Sequence, residues 1–479
     1  MRYVSTRGRA PELDFADVLL TGLAPDGGLY VPAEWPSLFA GWSDDELSYV
    51  DVATGVMWPY VEGSIDRDRF AQLVADAYAG FDDPDVTPMV ELDPGLYLLE
   101  LFRGPTLAFK DIALQLVGRL FEEELTRRDA TMTIVAATSG DTGSAAIEAC
   151  RGRDRVRIFV LHPEGRVSDV QRRQMTTVQD DNVHNLAIDG SFDDCQDLVK
   201  AMFADEPFRQ KHSLGAVNSI NWARVMAQTV YYVYAAARVP RAVPPTFVVP
   251  SGNFGNVFAG WVARQMGLPV RRLVVASNQN DILTQFFGTG TMRVGAVEPT
   301  FSPAMDIQVS SNLERLLFEL FGRDGIDLAV AMAAFREAGS IDFGPYVFAA
   351  ANETFSAGSI DDAATLRVIQ ATARRSGQVV DPHTAVGLGV AAELTSPTPS
   401  SPVVCLATAH PAKFPDAVER ATGRRPALPD RLSDLLEREE RMTSLPNDLA
   451  AVESYIDHTD PGSGGSEPVE ALCPRRLRR

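Results

Sequence analysis

Lys110 closes the stretch "ELFRGPTLAFKD" (residues 100–111), where its neighbours are apolar, small or turn-forming. A lysine so placed either runs an apolar stem to water or is kept there as an amine for chemistry. Attack on an aldehyde needs the unprotonated amine, against a reference pKa of about 10.4. Leu107, Ala108 and Phe109 favour that neutral form by withholding water. The chemistry open to such a residue is imine formation with a carbonyl carbon.

Three further stretches are rich in small polar residues: "TSGDTGS" (138–144), "PSGNFGN" (250–256) and "ATAHPAKF" (407–414). Each reads as a strand-to-helix turn. In parallel α/β sheets ligands gather at the carboxyl ends of strands. Small residues there admit the backbone to a ligand, and the following helix start supplies N–H donors for an anion. None of the three carries the G-K-[ST] of a nucleotide-triphosphate loop, and none fits G-x-G-x-x-G, which disfavours a dinucleotide. An imine-forming lysine with a separate phosphate-binding glycine loop is the pairing that pyridoxal 5′-phosphate requires.

Placing these turns demands alternating strands and helices. "TMTIVAAT" (131–138), "RVRIFVLH" (155–162), "VHNLAI" (183–188), "TFVVP" (246–250), "RRLVVAS" (271–277) and "PVVCLAT" (402–408) read as strands. Helical stretches separate them, including the long apolar 221–239. Ser168 with Gln171 reads as a capping box, and Ser191 caps the next helix. The expected class is α/β, with two parallel-sheet units and the active site in the cleft between them. The boundaries expected are an N-terminal region over 1–95 packed on the core, an α/β unit over 96–230, a second over 231–456, and a disordered tail over 457–479.

Composition narrows the class further. The 479 residues are 45% hydrophobic with a formal net charge of −20. That balance argues against a nucleic-acid partner, since only the terminal "RRLRR" is strongly basic. Four scattered cysteines and six histidines without metal-ligand spacing give no disulfide framework and no metal site. No apolar leader or membrane-length run is present, so a cytoplasmic protein without a membrane partner is expected, as monomer or homodimer.

The stretches "DGGLYVP" (26–32), "LFRGPTLAFKD" (101–111), "ATSGDTG" (137–143), "AVNSIN" (216–221), "VPSGNFGN" (249–256) and "TAHPAKF" (408–414) occur in the order of a known family. The sequence resembles the long-form threonine synthases, within the fold-type II, tryptophan synthase β-like, pyridoxal-phosphate enzymes. The resemblance implies conversion of O-phospho-L-homoserine and water to L-threonine and phosphate. It implies that Lys110 forms the Schiff base and then shuttles protons. It implies that Gly252, Asn253, Phe254, Gly255 and Asn256 wrap the cofactor phosphate, and that Thr408 meets the pyridine nitrogen.

The turn Thr138, Ser139, Gly140, Asp141 and Thr142 resembles the loop that grips the substrate carboxylate. Asp141 would repel an anion, so it orients the loop, bonds the substrate amino group, or caps the helix that follows. Candidates for the substrate phosphate are Asn218, Ser219, Asn221, Arg224 and Lys413. His410 and His383 are expected to be structural. One departure is Arg103, where the family pattern before "GPT" has histidine. Two alternatives stay open: a phospho-lyase or dehydratase giving 2-oxobutyrate, and a non-catalytic ligand-binding protein on the same fold.

Overall fold

The computed structural model describes residues 1–460. Two sheets organise the chain. The larger has six strands in the order Phe355–Ser359, Arg272–Ser277, Thr246–Pro250, Val403–Ala407, Leu96–Glu100 and Met89–Asp93. All neighbours are parallel except the last pair, where Met89–Asp93 runs antiparallel along the edge. The smaller has five parallel strands: Thr443–Pro446, Val183–Asp189, Val156–Pro163, Met132–Ala137 and Leu214–Gly215. Thr246–Pro250 and Val403–Ala407 are buried along their whole length. Such β-branched, two-face burial is what a parallel sheet covered by helices requires.

The sheets do not divide the chain at residue 230. Leu96–Glu100, and with it the Lys110 segment, pairs with Val403–Ala407 in the larger sheet. The smaller sheet takes residues 132–215 and then recruits Thr443–Pro446 from near the chain's end. Linear alternation shows that strands are parallel, but says nothing about which distant strand inserts beside which. The region expected as an N-terminal appendage likewise contributes a strand, Met89–Asp93, to the main sheet.

The helix Trp222–Arg238 runs through the middle, buried at every residue but its last. It packs on the helices Tyr49–Val61, Lys110–Arg127 and Gly255–Gln265. A helix apolar on all sides is stable only with protein on all sides. Ser191 forms a full capping box with Asp194. Ser168 caps as expected, but the other half of its box is missing: Gln171 Oε1 accepts from the Ser168 hydroxyl at 2.9 Å instead of its backbone N–H, while Nε2 donates to Asp141.

The expected tail begins too early at 457. The helix Leu449–Thr459 continues through that point. Buried Asp460 accepts a hydrogen bond from Thr133 Oγ1 at 2.6 Å and pairs with Arg157 at 3.0 Å. The rest of the expected tail, with "RRLRR", lies outside the described residues. Among the described residues no helix is long and apolar enough to cross a membrane, and no group of acidic, histidine and cysteine side chains has the arrangement of a metal site.

Candidate active site

Three adjacent parallel strands of the larger sheet deliver three functional segments to one end. Thr246–Pro250 leads into the glycine turn, Val403–Ala407 into Thr408, and Leu96–Glu100 into the loop before Lys110. The last two are stitched together. Phe109 N–H donates to the Thr408 carbonyl at 2.9 Å, and His410 N–H to the Leu107 carbonyl at 3.0 Å. Lys110 is the first residue of the helix Lys110–Arg127. The next residue, buried Asp111, accepts from Thr106 N–H at 2.8 Å and from Thr106 Oγ1 at 2.7 Å. It thereby fixes the "GPT" turn that presents the lysine.

Both turns of the larger sheet hold a bulky residue in left-handed backbone, Leu107 at φ 64° and Phe254 at φ 61°. Such conformations cost of order 1–3 kcal/mol and persist only where packing enforces them. Leu107 is fully buried. The Phe254 ring stacks on Phe287 at 5.8 Å and lies against Phe355. The reward is geometric: Phe254 turns the chain directly into the helix Gly255–Gln265, whose first N–H groups have no intrahelical acceptor.

A strap over residues 302–312 presses on this glycine turn. A Cβ at Gly252 would lie 2.8 Å from the Ala304 carbonyl oxygen, so only glycine fits. Ser310 Oγ donates to the Gly252 carbonyl at 2.8 Å, and Asn312 N–H to the Asn253 carbonyl at 3.1 Å. The strap is held from behind by His383, whose Nε2 accepts from Ala304 N–H at 3.2 Å while Nδ1 meets Asp381 Oδ2 at 2.7 Å. On the other side, Tyr231 and Tyr232 hydroxyls donate to Asn256 Oδ1 at 2.6 and 2.9 Å. That leaves buried Asn256 Nδ2 without an acceptor.

Across the cleft, the turn after Met132–Ala137 in the smaller sheet brings Asp141 to Lys110. Asp141 Oδ2 lies 3.7 Å from Lys110 Nζ, and Asp141 Oδ1 lies 2.9 Å from Lys413 Nζ. Gln171 Nε2 donates to the same Oδ1 at 2.8 Å. Burial alone would raise the Asp141 carboxyl, but Lys413 and Lys110 hold it well below the usual carboxylate range. Burial, partly offset by Asp141, pushes the Lys110 amine down to about 8. The lysine is therefore far closer to its reactive form at neutral pH than an exposed one.

The remaining expected residues sort by what they touch. Asp141 does not cap its helix; the Thr138 hydroxyl closes that turn by accepting from Gly140 N–H at 3.0 Å and Gly143 N–H at 2.8 Å. Gly140, at φ 142°, has no room for a side chain beside Gln171. Ser139 is exposed and Thr142 partly so. Asn221 is committed elsewhere: its Oδ1 caps the central helix and its Nδ2 donates to the Leu19 carbonyl at 2.8 Å. Asn218 is exposed and turns its Oδ1 onto Ile220 N–H. Ser219 Cβ lies 3.9 Å from where a Gly255 side chain would begin, which places it beside the glycine turn.

Buried Arg224 makes a side-chain bond to the Val217 carbonyl and leaves its Nε without a partner. Arg103 turns away onto Glu100, with Nε at 2.8 Å. His410 caps its own short turn by accepting from Ala412 N–H. Sequence reading missed Asp111, Gln171, Gln174, Ala304 and Arg315. Gln174 Nε2 donates to the Thr106 carbonyl at 3.0 Å. Buried Arg315 bonds the Asn312 side chain and the Ile220 carbonyl, tying the strap to the segment before the central helix. Asp111 carried a local signal, as a carboxylate directly after the singled-out lysine, and Gln171 carried one only as a helix-capping residue.

These features fit pyridoxal phosphate. A helix start with free N–H groups and an unpartnered buried amide at Asn256 suit a phosphate. A dry lysine amine suits its aldehyde.

Comparison with known proteins agrees. The family model for the threonine synthase N terminus matches residues 2–78, that for pyridoxal-phosphate dependent enzymes residues 82–340, and that for the threonine synthase C-terminal region residues 384–456. A threonine synthase of Pseudomonas aeruginosa is 51% identical over 95% of this chain and 98% of its own. One from Schizosaccharomyces pombe is 43% identical over 88% of this chain and 89% of its own. The crystal structure of a PLP-bound threonine synthase from Brucella melitensis superposes with a TM-score of 0.93 at 49% identity, covering 96% of this chain and 99% of that one. The yeast enzyme gives 0.90 at 37% identity, over 96% and 98%. The fold is thus fold type II, and the chain belongs to the threonine synthase family of pyridoxal-phosphate-dependent enzymes.

Proposed function

We propose that this chain converts O-phospho-L-homoserine and water to L-threonine and phosphate, with Lys110 as its catalytic base. The observation that carries this reading is the buried, carboxylate-flanked amine of Lys110, set at the strand ends that also deliver Thr408 and the glycine turn. Gly252 to Asn256 would hold the cofactor phosphate, Thr408 the ring nitrogen, and Lys110 the aldehyde carbon. Bound there, the cofactor supplies an electron sink for the substrate α-carbon.

Lys110 Nζ is the group suited to take the α-proton and return it. Its pKa of about 8 leaves a far larger unprotonated fraction near neutral pH than an exposed lysine has, and Asp141 stands ready to balance its charge when protonated. Asp141 itself is a poor base, because Lys413 stabilises its ionised form. Ser139 and Thr142 are the accessible donors of the carboxylate loop. Arg224, with its unpartnered Nε, is the favoured contact for the substrate phosphate, and Ser219 stands beside the turn that would hold the cofactor phosphate. A hydroxyl at Thr408 leaves the ring nitrogen less protonated than a carboxylate would, and contributes about 1 kcal/mol of binding.

Product identification after incubation with phosphohomoserine tests this directly. Threonine and phosphate in equal amounts are expected from the wild type, and none from Lys110→Ala. Oxobutyrate with ammonia would assign the chain to the eliminating chemistry instead. Arg224→Met should raise KM for phosphohomoserine at least about tenfold with cofactor binding intact.

A further inference from the structure

Two buried lysines share one carboxylate at this site. Lys413 has no exposed side-chain surface, and its Nζ lies 2.9 Å from Asp141 Oδ1. The same ammonium donates to the Thr106 carbonyl at 2.7 Å, within the turn that leads to Lys110. Gln171 adds a second donor to Asp141 Oδ1. That oxygen is engaged twice, and Oδ2 is left facing Lys110 at 3.7 Å. Two other charged groups belong to this neighbourhood. Arg224, on the central helix, repels a proton on Lys110. Asp111, next to Lys110 in sequence, is turned onto Thr106.

We propose that Lys413 is a positioning residue that acts through Asp141, holding this carboxylate fixed and ionised so that Lys110 Nζ, and not Asp141, carries the proton during turnover. The inference rests on the reading of the site given above, and reassigns Lys413 from the set of substrate-phosphate candidates. Without Lys413, Asp141 would be a second proton acceptor 3.7 Å from the working amine. With Lys413 in place its lone pairs are held by an ammonium and an amide, and its charge is fixed. Asp141 and Lys413 then act on Lys110 Nζ with opposite signs: the carboxylate favours a proton there, and the second ammonium opposes it. Opposed signs make the two contributions separable.

The test uses the full-length, cofactor-loaded protein and follows the visible absorbance of the lysine-linked cofactor against pH. Asp141→Asn should move the midpoint down by about one pH unit or more, and Lys413→Met should move it up by a similar amount. Lys413→Arg keeps the charge and should stay within about half a unit of wild type. The double variant Asp141→Asn with Lys413→Met removes the whole pair. It should return close to the wild-type midpoint, and it decides the question if a single variant fails to fold. Lys413→Met should also lower kcat at least about tenfold while KM stays within about threefold.

Shifts in the same direction, or an unmoved midpoint in Lys413→Met, would overturn the proposal while leaving the reaction intact. A rise in KM alone would do the same and return Lys413 to the phosphate site. Absence of the absorbance from the wild type at every pH would instead overturn the reading of the site as a whole.

Discussion

Replacing Gly252 by alanine separates cofactor binding from folding. The added Cβ would begin 2.8 Å from both the Ala304 carbonyl oxygen and Ile307 Cδ1. Ordinary contact starts near 3.4 Å, so each of the two contacts must open by about 0.6 Å. Ile307 can rotate, but the Ala304 backbone is pinned by His383. The glycine turn therefore moves, and its N–H groups leave the position a phosphate needs. Overpacking of this size costs about 1–3 kcal/mol. In the cofactor-free protein the turn relaxes, so most of that cost falls on binding. Cofactor affinity should drop about 5- to 150-fold, measured by equilibrium dialysis with absorbance, while the urea midpoint of the cofactor-free protein barely changes. Gly288→Ala, with nothing within 4 Å of its new methyl group, is the matched control. A Gly252→Ala affinity within about twofold of wild type would refute the role given to the strap.

Other outcomes follow from the same geometry. Asn221→Ala removes the cap of the central helix and the donor to Leu19, so it should cost about 1–3 kcal/mol of stability by urea titration and leave KM unchanged. His383→Ala strands the Ala304 N–H and removes the ring partner of Asp381 Oδ2, which keeps only the backbone N–H of residue 383. It should lower stability by about 1–3 kcal/mol and weaken cofactor binding, seen as faster loss on gel filtration. In Lys110→Met, a burial penalty on the ammonium disappears. The folded amine sits at about 8 against 10.5 unfolded, so the wild-type penalty is complete below pH 8 and vanishes as pH rises through 10.5. The cofactor-free variant should therefore be more stable at pH 7 by roughly 3 kcal/mol, with the advantage fading toward pH 10.5 in denaturant titrations. An advantage that grows with pH would contradict that assignment.

The strands and turns that bind ligands were legible because each is a local event. "TFVVP" is β-branched and bounded by turn residues, and Thr246–Pro250 is the strand observed. Lys110 stood out for a similar reason, as one cation in an apolar stretch. Sheet membership was not legible, because the pairing of Leu96–Glu100 with Val403–Ala407 joins residues some 300 positions apart. The same distance hid the partners. Nothing near Asp141 in sequence foretells Lys413, and nothing in "DPHTAVG" says that His383 supports Ala304. Asn221 stayed ambiguous in sequence because the residue type that caps a helix is also the type that binds phosphate. Only burial and the Leu19 bond separate the two roles.

Covalent trapping tests the central claim most directly. Borohydride reduction of the cofactor-loaded protein, followed by digestion and mass spectrometry, fixes the cofactor to whichever amine held it. The account places the reduced adduct on Lys110 alone, although Lys413 is a still more deeply buried amine across the same carboxylate. An adduct on Lys413, or on any lysine outside the "AFKD" segment, would contradict it.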